Sequence, residues 1–201
     1  MKRTIISLMA ATLLFALSSC NGKEQLAEDV MGTWASAPTQ LETGSESSTT
    51  IMRTFHVTKA EDKAGGDVVF EGLVTITSAL TSDQGFLQAT TFSASGMVNA
   101  RGTWEATDDD EITVRYDPAS VTASFGPDAV LLPNVPFEAD STAVNYRQMI
   151  AHNVEVKIKN IFADKAAVLL EIDDIEMSAD KQTFVCEVND KKYEIRRQSK
   201  N

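Results

Sequence analysis

Residues 101–117 read RGTWEATDDDEITVRYD, and this stretch indicates most clearly what kind of fold the chain adopts. Its second half alternates apolar and polar residues, with Ile112, Val114 and Tyr116 on one side. Successive side chains of a β-strand point to opposite faces of a sheet, so the alternation predicts a strand with one buried and one wet face. The acidic run TDDDE before it supplies turn-forming residues. The stretch therefore predicts an antiparallel hairpin.

The same period of two recurs along most of the chain. TIMRTFHV places Ile51, Phe55 and Val57 on one face, although the charged Arg53 interrupts that face. Turn-forming runs such as KAGGD, TSDQG, MSADK and VNDKK separate the alternating segments. The other segments that alternate are VVFEGLVTI, SVTASF, VLLEI, TFVCEV and KYEIRR.

These segments predict about eight antiparallel strands, which would expose unpaired edges if the sheet stayed open. A closed barrel of about eight strands removes the edges, and its interior is either filled by side chains or able to hold one small ligand. The fold class expected is mainly β, an antiparallel barrel of about eight strands with one α-helix late in the chain.

The expected helix is the one segment that breaks the alternation. From Ser141 to Phe162, apolar residues recur mostly at spacings of three and four. A second interpretation ends the helix near His152 and makes VEVKIK a strand, because that run also alternates. The continuous helix is favoured.

The first twenty residues have the features of an export signal. Lys2 and Arg3 carry positive charge, and residues 5–17 are apolar apart from Ser7 and Thr12. A bilayer span needs about 20 apolar residues, so this run is too short to cross, but it suits the apolar region of a secretory signal.

The sequence Leu17-Ser18-Ser19-Cys20 resembles the lipobox of bacterial lipoproteins, in which the cysteine is acylated and becomes the new N-terminus. The alternative is an ordinary signal peptide, or an apolar first helix, with an incidental cysteine. The resemblance implies a lipid anchor on Cys20 in the bacterial cell envelope, with the outer membrane as the expected location. The expected organisation is a lipoprotein signal peptide (1–19), a lipidated cysteine with a polar tether (20–29) and a single barrel domain (30–201).

The chain is strongly acidic, with 18 Lys and Arg against 29 Asp and Glu and a formal net charge of −11. Removal of residues 1–19 takes away Lys2 and Arg3, which leaves 16 basic and 29 acidic residues, a net charge of −13. Such a surface repels nucleic acid and anionic lipid headgroups, so neither is expected as a direct partner.

Residues with catalytic or metal-binding chemistry are sparse. Cys186 alternates with Phe184, which favours a buried core thiol. His56 and His152 have no neighbour at ligand spacing, and the acidic run 108–111 lacks the glycine of a calcium loop. The chain contains no nucleophile elbow, phosphate loop or dinucleotide fingerprint. We therefore expect no enzyme activity, no cofactor and no metal.

VMGTW, from Val30 to Trp34, resembles the Gly-x-Trp signature of lipocalins and other calycins. RGTWEATDDDEITVRYD is similar to the mid-barrel hairpin of lipocalin-like lipoproteins of Bacteroidetes. The resemblance implies a calycin barrel in which Gly32 and Trp34 open the first strand and the tryptophan plugs the closed base. Burial in a packed core would also explain both Trp34 and Trp104. A typical lipocalin has one strand after its helix, whereas three are expected here.

Three functions are compared. The favoured one is a lipid-anchored barrel that binds a small apolar or amphipathic ligand in a preformed cup. The alternative is a non-enzymatic envelope accessory protein with a filled barrel, which acts through contacts with an unknown protein partner. An enzyme is the third and least favoured function. The residues expected to line the cup are Phe55, Phe70, Val74, Phe92, Val114 and Tyr116, and the docking surface expected of a filled barrel comprises Val130, Leu131, Leu132 and Val135.

Overall fold

The computed structural model describes residues 22–43, 47–80, 90–133 and 141–199. Within these ranges the chain forms two α-helices and eleven strands, and the strands belong to one antiparallel sheet. The elements in chain order are α1 (22–29), β1 (Gly32–Ser36), β2 (Thr39–Thr43), β3 (Ser47–Lys59), β4 (Gly65–Leu80), β5 (Thr90–Ala106), β6 (Ile112–Tyr116), β7 (Thr122–Ser124), β8 (Val130–Leu131), α2 (Ser141–Ala166), β9 (Leu170–Met177), β10 (Thr183–Val188) and β11 (Lys191–Arg197).

Eight of the described strands close into a barrel. They pair in the order β1–β11–β10–β9–β6–β5–β4–β3, and β3 returns to β1. Trp34 of β1 pairs with Phe55 of β3 on one side and with Arg197 of β11 on the other. The mainly β class, the closed antiparallel barrel and the helix late in the chain are thus confirmed.

The strands β3, β4 and β5 extend well beyond the ring of eight. In this extension β2 pairs with β3, and the short β7 and β8 pair with β5. Helix α2 packs against β5, β7 and β8 here. We call this part, whose core contains Val74, Val98 and Ile158, the helix-covered half. The opposite end, whose core contains Trp34 and Trp104, is the closed base.

Helix α2 is held by an apolar stripe along one face. Ile150, Val154 and Ile158 are buried on this stripe and share one core cluster with the strands beneath them. Burying a side chain of this size stabilises the fold by about 1.5–3 kcal/mol, so tertiary packing dominates the stability of the helix. The helix runs without a break through residues 154–159. The continuous helix is therefore confirmed, and the interpretation of VEVKIK as a strand is wrong.

Helix α1 occupies part of the segment that the sequence predicts to be a tether, residues 20–29. Over residues 22–29 the chain is helical, and Leu26 and Ala27 are buried in the closed base. Lys59 of β3 forms ion pairs with two glutamates of this helix. Leu26 and Ala27 are the two buried residues of α1, and its other residues are polar or glycine, so the composition of this segment resembles that of a solvated linker. The folded unit consequently includes residues from 22 onward rather than from 30.

The stretch 125–137 contributes mainly to the core within its described part. Val130 and Leu132 are 0% and 5% exposed and lie under α2. Leu131, which alternates with them, is 58% exposed. Val135 lies outside the described residues. Among the described residues of the expected docking surface, only Leu131 is exposed. Val130 and Leu132 face the core because successive residues of an extended chain point to opposite sides.

Candidate functional site

Four aromatic rings meet inside the barrel, between the closed base and the helix-covered half. The ring centroid of Phe70 on β4 lies 5.7 Å from that of Phe55 on β3 and 6.1 Å from that of Tyr116 on β6. Phe162 of α2 stacks on Phe70 with a centroid distance of 5.7 Å. These separations are those of favourable aromatic pairs. We call these four side chains the ring layer.

The ring layer lies where the barrel interior reaches solvent. Side chains on either side of it are enclosed, since Val74 is 0% and Trp34 is 1% exposed. Phe55, Tyr116 and Phe162 are only partly buried, although they pack against the core. An inward ring in a filled, closed barrel would be enclosed at native packing density. Part of the surface of these three rings therefore remains accessible to solvent.

A charged side chain shares this interior face. Arg53 is partly buried and lies between Ile51 and Phe55 in the inward series of β3. Its guanidinium Nη1 donates a hydrogen bond to Thr39 Oγ1. Its backbone N–H donates to Ser36 Oγ over 3.2 Å. These two bonds connect Arg53 to the last residue of β1 and the first residue of β2.

Arg53 and two tyrosines interact electrostatically. Burial lowers the pKa of Arg53, and the phenol groups of Tyr193 and Tyr116 act in the opposite direction. Burial raises the pKa of Tyr116, and the charge of Arg53 offsets part of that increase. A guanidinium keeps its proton in proteins, and a phenol with a raised pKa stays neutral at physiological pH. The interior face thus carries a permanent positive charge, and the neutral hydroxyl of Tyr116, which can donate a hydrogen bond, lies within range of its electrostatic effect.

Three of the six residues expected to line a ligand cup, Phe55, Phe70 and Tyr116, belong to the ring layer. The others lie elsewhere: Val74 is enclosed near α2, Phe92 packs beside the same cluster, and Val114 lies in the closed base. Strand alternation identifies the inward face of each strand. Which of these inward residues remain accessible to solvent depends on where the two helices pack along the barrel axis.

Three interior residues, Arg53, Phe162 and Tyr193, were not expected to line the cup. Arg53 had a visible signal, because a charge on the apolar face of a strand is costly unless the site uses it. Tyr193 had a weaker signal, its alternation with Ile195 in KYEIRR. Phe162 had none, because helical spacing shows that a residue faces the core and does not show which ring it meets.

The closed base is organised around Trp34. Its indole Nε1 donates to the carbonyl oxygen of Val30 over 2.7 Å, and its ring packs edge-on against Phe184 at 4.8 Å. Arg197 belongs to β11, and its guanidinium carbon lies 4.2 Å from the centroid of the indole ring. The tryptophan is thus covered by the chain that follows α1 and by the last strand.

Arg197 links the chain segment that follows α1 to the last strand of the barrel. We call the pair Trp34 and Arg197 the base clamp. Its Nη1 and Nη2 donate to the carbonyl oxygens of Met31 and Asp29 over 2.7 and 2.8 Å. Gly32 has φ 122°, and a Cβ at this position would lie 2.7 Å from Arg197 Nη1. The glycine therefore supplies both a left-handed backbone conformation and the space that the guanidinium occupies.

Cys186 is buried in the closed base at 4% exposure, and burial raises the pKa of its thiol to about 11 from an ordinary value of 9.0. At pH 9 about 1% of the folded thiol is ionised against about half of the unfolded thiol, so we expect alkylation in the folded chain to be about 50-fold slower. Iodoacetamide labelling of the chain from Asn21 onward, with and without urea, measures this ratio. The protonated thiol is the form that the fold favours, so its contribution to stability is complete below pH 9 and is lost as the pH rises through about 11.

Equal labelling rates in the folded and unfolded chain would contradict this burial of Cys186. The variant Cys186→Ala provides the control for stability, because it removes the pH dependence of this one group and leaves every other titration in place.

The residues with possible metal chemistry do not converge. Across the described ranges, no group of three or more His, Cys, Asp or Glu is placed to hold a metal ion. His56 lies on the barrel surface, where Nδ1 is 3.1 Å from Thr33 Oγ1 and Nε2 is 3.4 Å from Glu71. His152 is exposed on α2.

A recess outside the barrel interior is lined by Pro127, Asp128, Val144 and Arg147 and has a volume of about 90 Å³. Ligand pockets for small organic molecules typically enclose about 300–1,000 Å³. This recess is too small for such a molecule.

Comparisons with known proteins add no relationship: neither protein-family models nor curated proteins match this chain. Among the helices of the described residues, none is both long and apolar enough to span a bilayer.

Proposed function

We propose that this protein is a lipid-anchored, lipocalin-like component of the bacterial cell envelope, at the outer membrane, and that its barrel binds a small apolar or amphipathic ligand without catalysing a reaction. One observation carries the proposal: the ring layer lies inside a closed barrel and three of its four rings remain partly exposed. Exposed aromatic surface in a concave site favours binding, because a ligand that covers it releases water from apolar surface.

Anchoring rests on the sequence, since residues 1–19 and Cys20 lie outside the described residues. From Cys20 to residue 22, where the described fold begins, an extended chain spans at most about 7 Å. A lipid on Cys20 would therefore hold α1 and the closed base next to the bilayer.

Native mass spectrometry tests the proposal on the chain from Asn21 onward, purified from its own host without detergent. Because this chain lacks the lipid anchor, an anchor cannot be mistaken for a bound ligand. We expect a reproducible added mass that disappears on denaturation. A bare mass at the calculated value would oppose the binding function.

Two variants test the location. Tyr116→Arg places a charge at a partly exposed position of the ring layer and is expected to abolish the added mass while far-UV circular dichroism stays unchanged. Phe70→Arg is expected to abolish the added mass as well, but Phe70 is 5% exposed, so this variant should also be less stable and is compared only where it remains folded. Thr77→Arg is the matched control, because Thr77 is exposed on the same strand as Phe70. Retention of the ligand by folded Tyr116→Arg would remove the ring layer as the site.

A second candidate function, an envelope accessory protein with a filled barrel, is favoured by a row of exposed side chains on the outer face of the sheet. Met52, Leu73 and Met97 pair across β3, β4 and β5 and are 39%, 42% and 37% exposed. Exposed apolar neighbours of this kind are common where proteins meet. This function would be favoured if the native mass is that of the protein without a ligand and if binding to a protein partner is lost in Leu73→Glu.

A further inference from the structure

Arg53 is the feature of the barrel interior that binding of an apolar molecule does not explain. It occupies the inward face of β3 between Ile51, at 1% exposure, and Phe55. Moving a guanidinium out of water costs free energy, and an aliphatic residue would fill the position without that cost. The position therefore calls for a partner that compensates the charge.

The described surroundings of Arg53 contain hydroxyl groups rather than an acid. Its side chain donates to Thr39 Oγ1, and the titratable groups that act on its pKa are the phenols of Tyr193 and Tyr116. None of the ion pairs formed between side chains that the structure describes involves Arg53. A guanidinium has five N–H donors, so donors remain that can reach a bound anion.

The apolar side of the same space is the ring layer. Phe55 follows Arg53 in the inward series of β3, and Tyr116 belongs to the ring layer while interacting with Arg53. At the edge, Nζ of Lys165 lies 6.0 Å from the ring centroid of Phe162. A positive charge, two phenols and stacked apolar rings are thus presented to one ligand.

Resting on the proposed binding function, we infer that the ligand is an amphiphile with a carboxylate head group, bound by Arg53 with the hydroxyls of Tyr116 and Tyr193. Its apolar part lies against the ring layer. The planar guanidinium fork matches a carboxylate in two parallel hydrogen bonds, and neutral phenols add donors. The guanidinium of Arg53 balances one negative charge. The net charge of −11 repels anions in general, so burial of the apolar part must drive binding and Arg53 selects the head group.

Isothermal titration calorimetry on the chain from Asn21 onward, which contains every helix and strand of the described fold, tests this inference. The probes are dodecanoate and dodecyl phosphate, each below its critical micelle concentration, and dodecan-1-ol, below its solubility limit. We expect dodecanoate to bind at least about tenfold more tightly than dodecan-1-ol, since hydrogen bonds to charged groups are about twice as strong as neutral ones and the difference corresponds to about tenfold in affinity. In Arg53→Met, the affinity for dodecanoate should fall about 10- to 100-fold, with that for dodecan-1-ol unchanged.

Two further variants keep the inference testable if Arg53→Met fails to fold. Arg53→Lys keeps the charge without the planar fork and should bind dodecanoate with intermediate affinity. Arg115→Met removes the same charge from the exposed face of β6 and should change neither affinity.

The outcomes separate this inference from the proposed function. Equal affinities for dodecanoate and dodecan-1-ol would overturn the assignment of the head group and leave the binding function standing. Tighter binding of dodecyl phosphate than of dodecanoate would overturn the choice of carboxylate. Absence of binding by all three probes, together with a bare native mass, would overturn the binding function itself.

Discussion

Replacement of Trp34 by alanine is expected to lower the free energy of unfolding by about 3–5 kcal/mol, the range for truncating a large buried aromatic side chain. Trp34 is 1% exposed and carries the base clamp: it packs against Phe184, and Arg197 covers its face. Its loss leaves a cavity beneath α1 and removes the surface on which Arg197 rests. Urea unfolding followed by far-UV circular dichroism measures the change.

The matched control for Trp34→Ala is Met52→Ala on the neighbouring strand β3. Met52 is 39% exposed, so its truncation should change stability by less than about 0.5 kcal/mol. A loss below about 1 kcal/mol in Trp34→Ala would show that the closed base can collapse around the missing ring, and the base clamp would then not be a main source of stability.

Ile158→Asp is expected to destabilise the protein on the order of 5 kcal/mol, because it combines truncation of a buried aliphatic side chain with burial of an unpaired carboxylate. Ile158 is 1% exposed and lies in the cluster that joins α2 to the long strands. Domains are stable by only about 5–15 kcal/mol, so α2 should detach or the chain should unfold. Near-UV circular dichroism and binding of a hydrophobic dye report the loss of packing.

Val156→Asp is the control for this variant, since Val156 is on the same helix and 44% exposed. Its effect should stay near that of an ordinary surface substitution, within about 0.5 kcal/mol. Similar stability losses in the two variants would mean that helical propensity or net charge, rather than docking of one face, determines how α2 contributes.

The regular elements are readable from local sequence patterns. Ile112, Val114 and Tyr116 alternate with polar residues, and β6 is a strand with that inward series. Ile150, Val154 and Ile158 recur at helical spacing and form the buried stripe of α2. These predictions succeed because the periods of strands and helices are properties of neighbouring residues.

The site was predictable only in part. Alternation identified Phe55, Phe70 and Tyr116 as inward residues, but it assigned Val114 to the same cup, although Val114 lies in the closed base. These four residues have the same pattern in the sequence, because alternation distinguishes only the inward face of a strand from its outward face. Alternation contains no information about the position of a residue along the barrel axis. That position determines whether the residue lies in the ring layer or in the closed base.

The sequence by itself determined a mainly β chain with a late helix and short polar turns, because each of these depends on side chains within a few positions of one another. Tertiary structure alone decided that residues 22–29 close the base, that Arg197 covers Trp34, and that Tyr193 comes near enough to Arg53 to act on its pKa. The partners in each of these contacts are far apart in the chain and meet only when β1 pairs with β3 and β11. Closure of the sheet therefore defines which part of the interior is sealed and which part can receive a ligand.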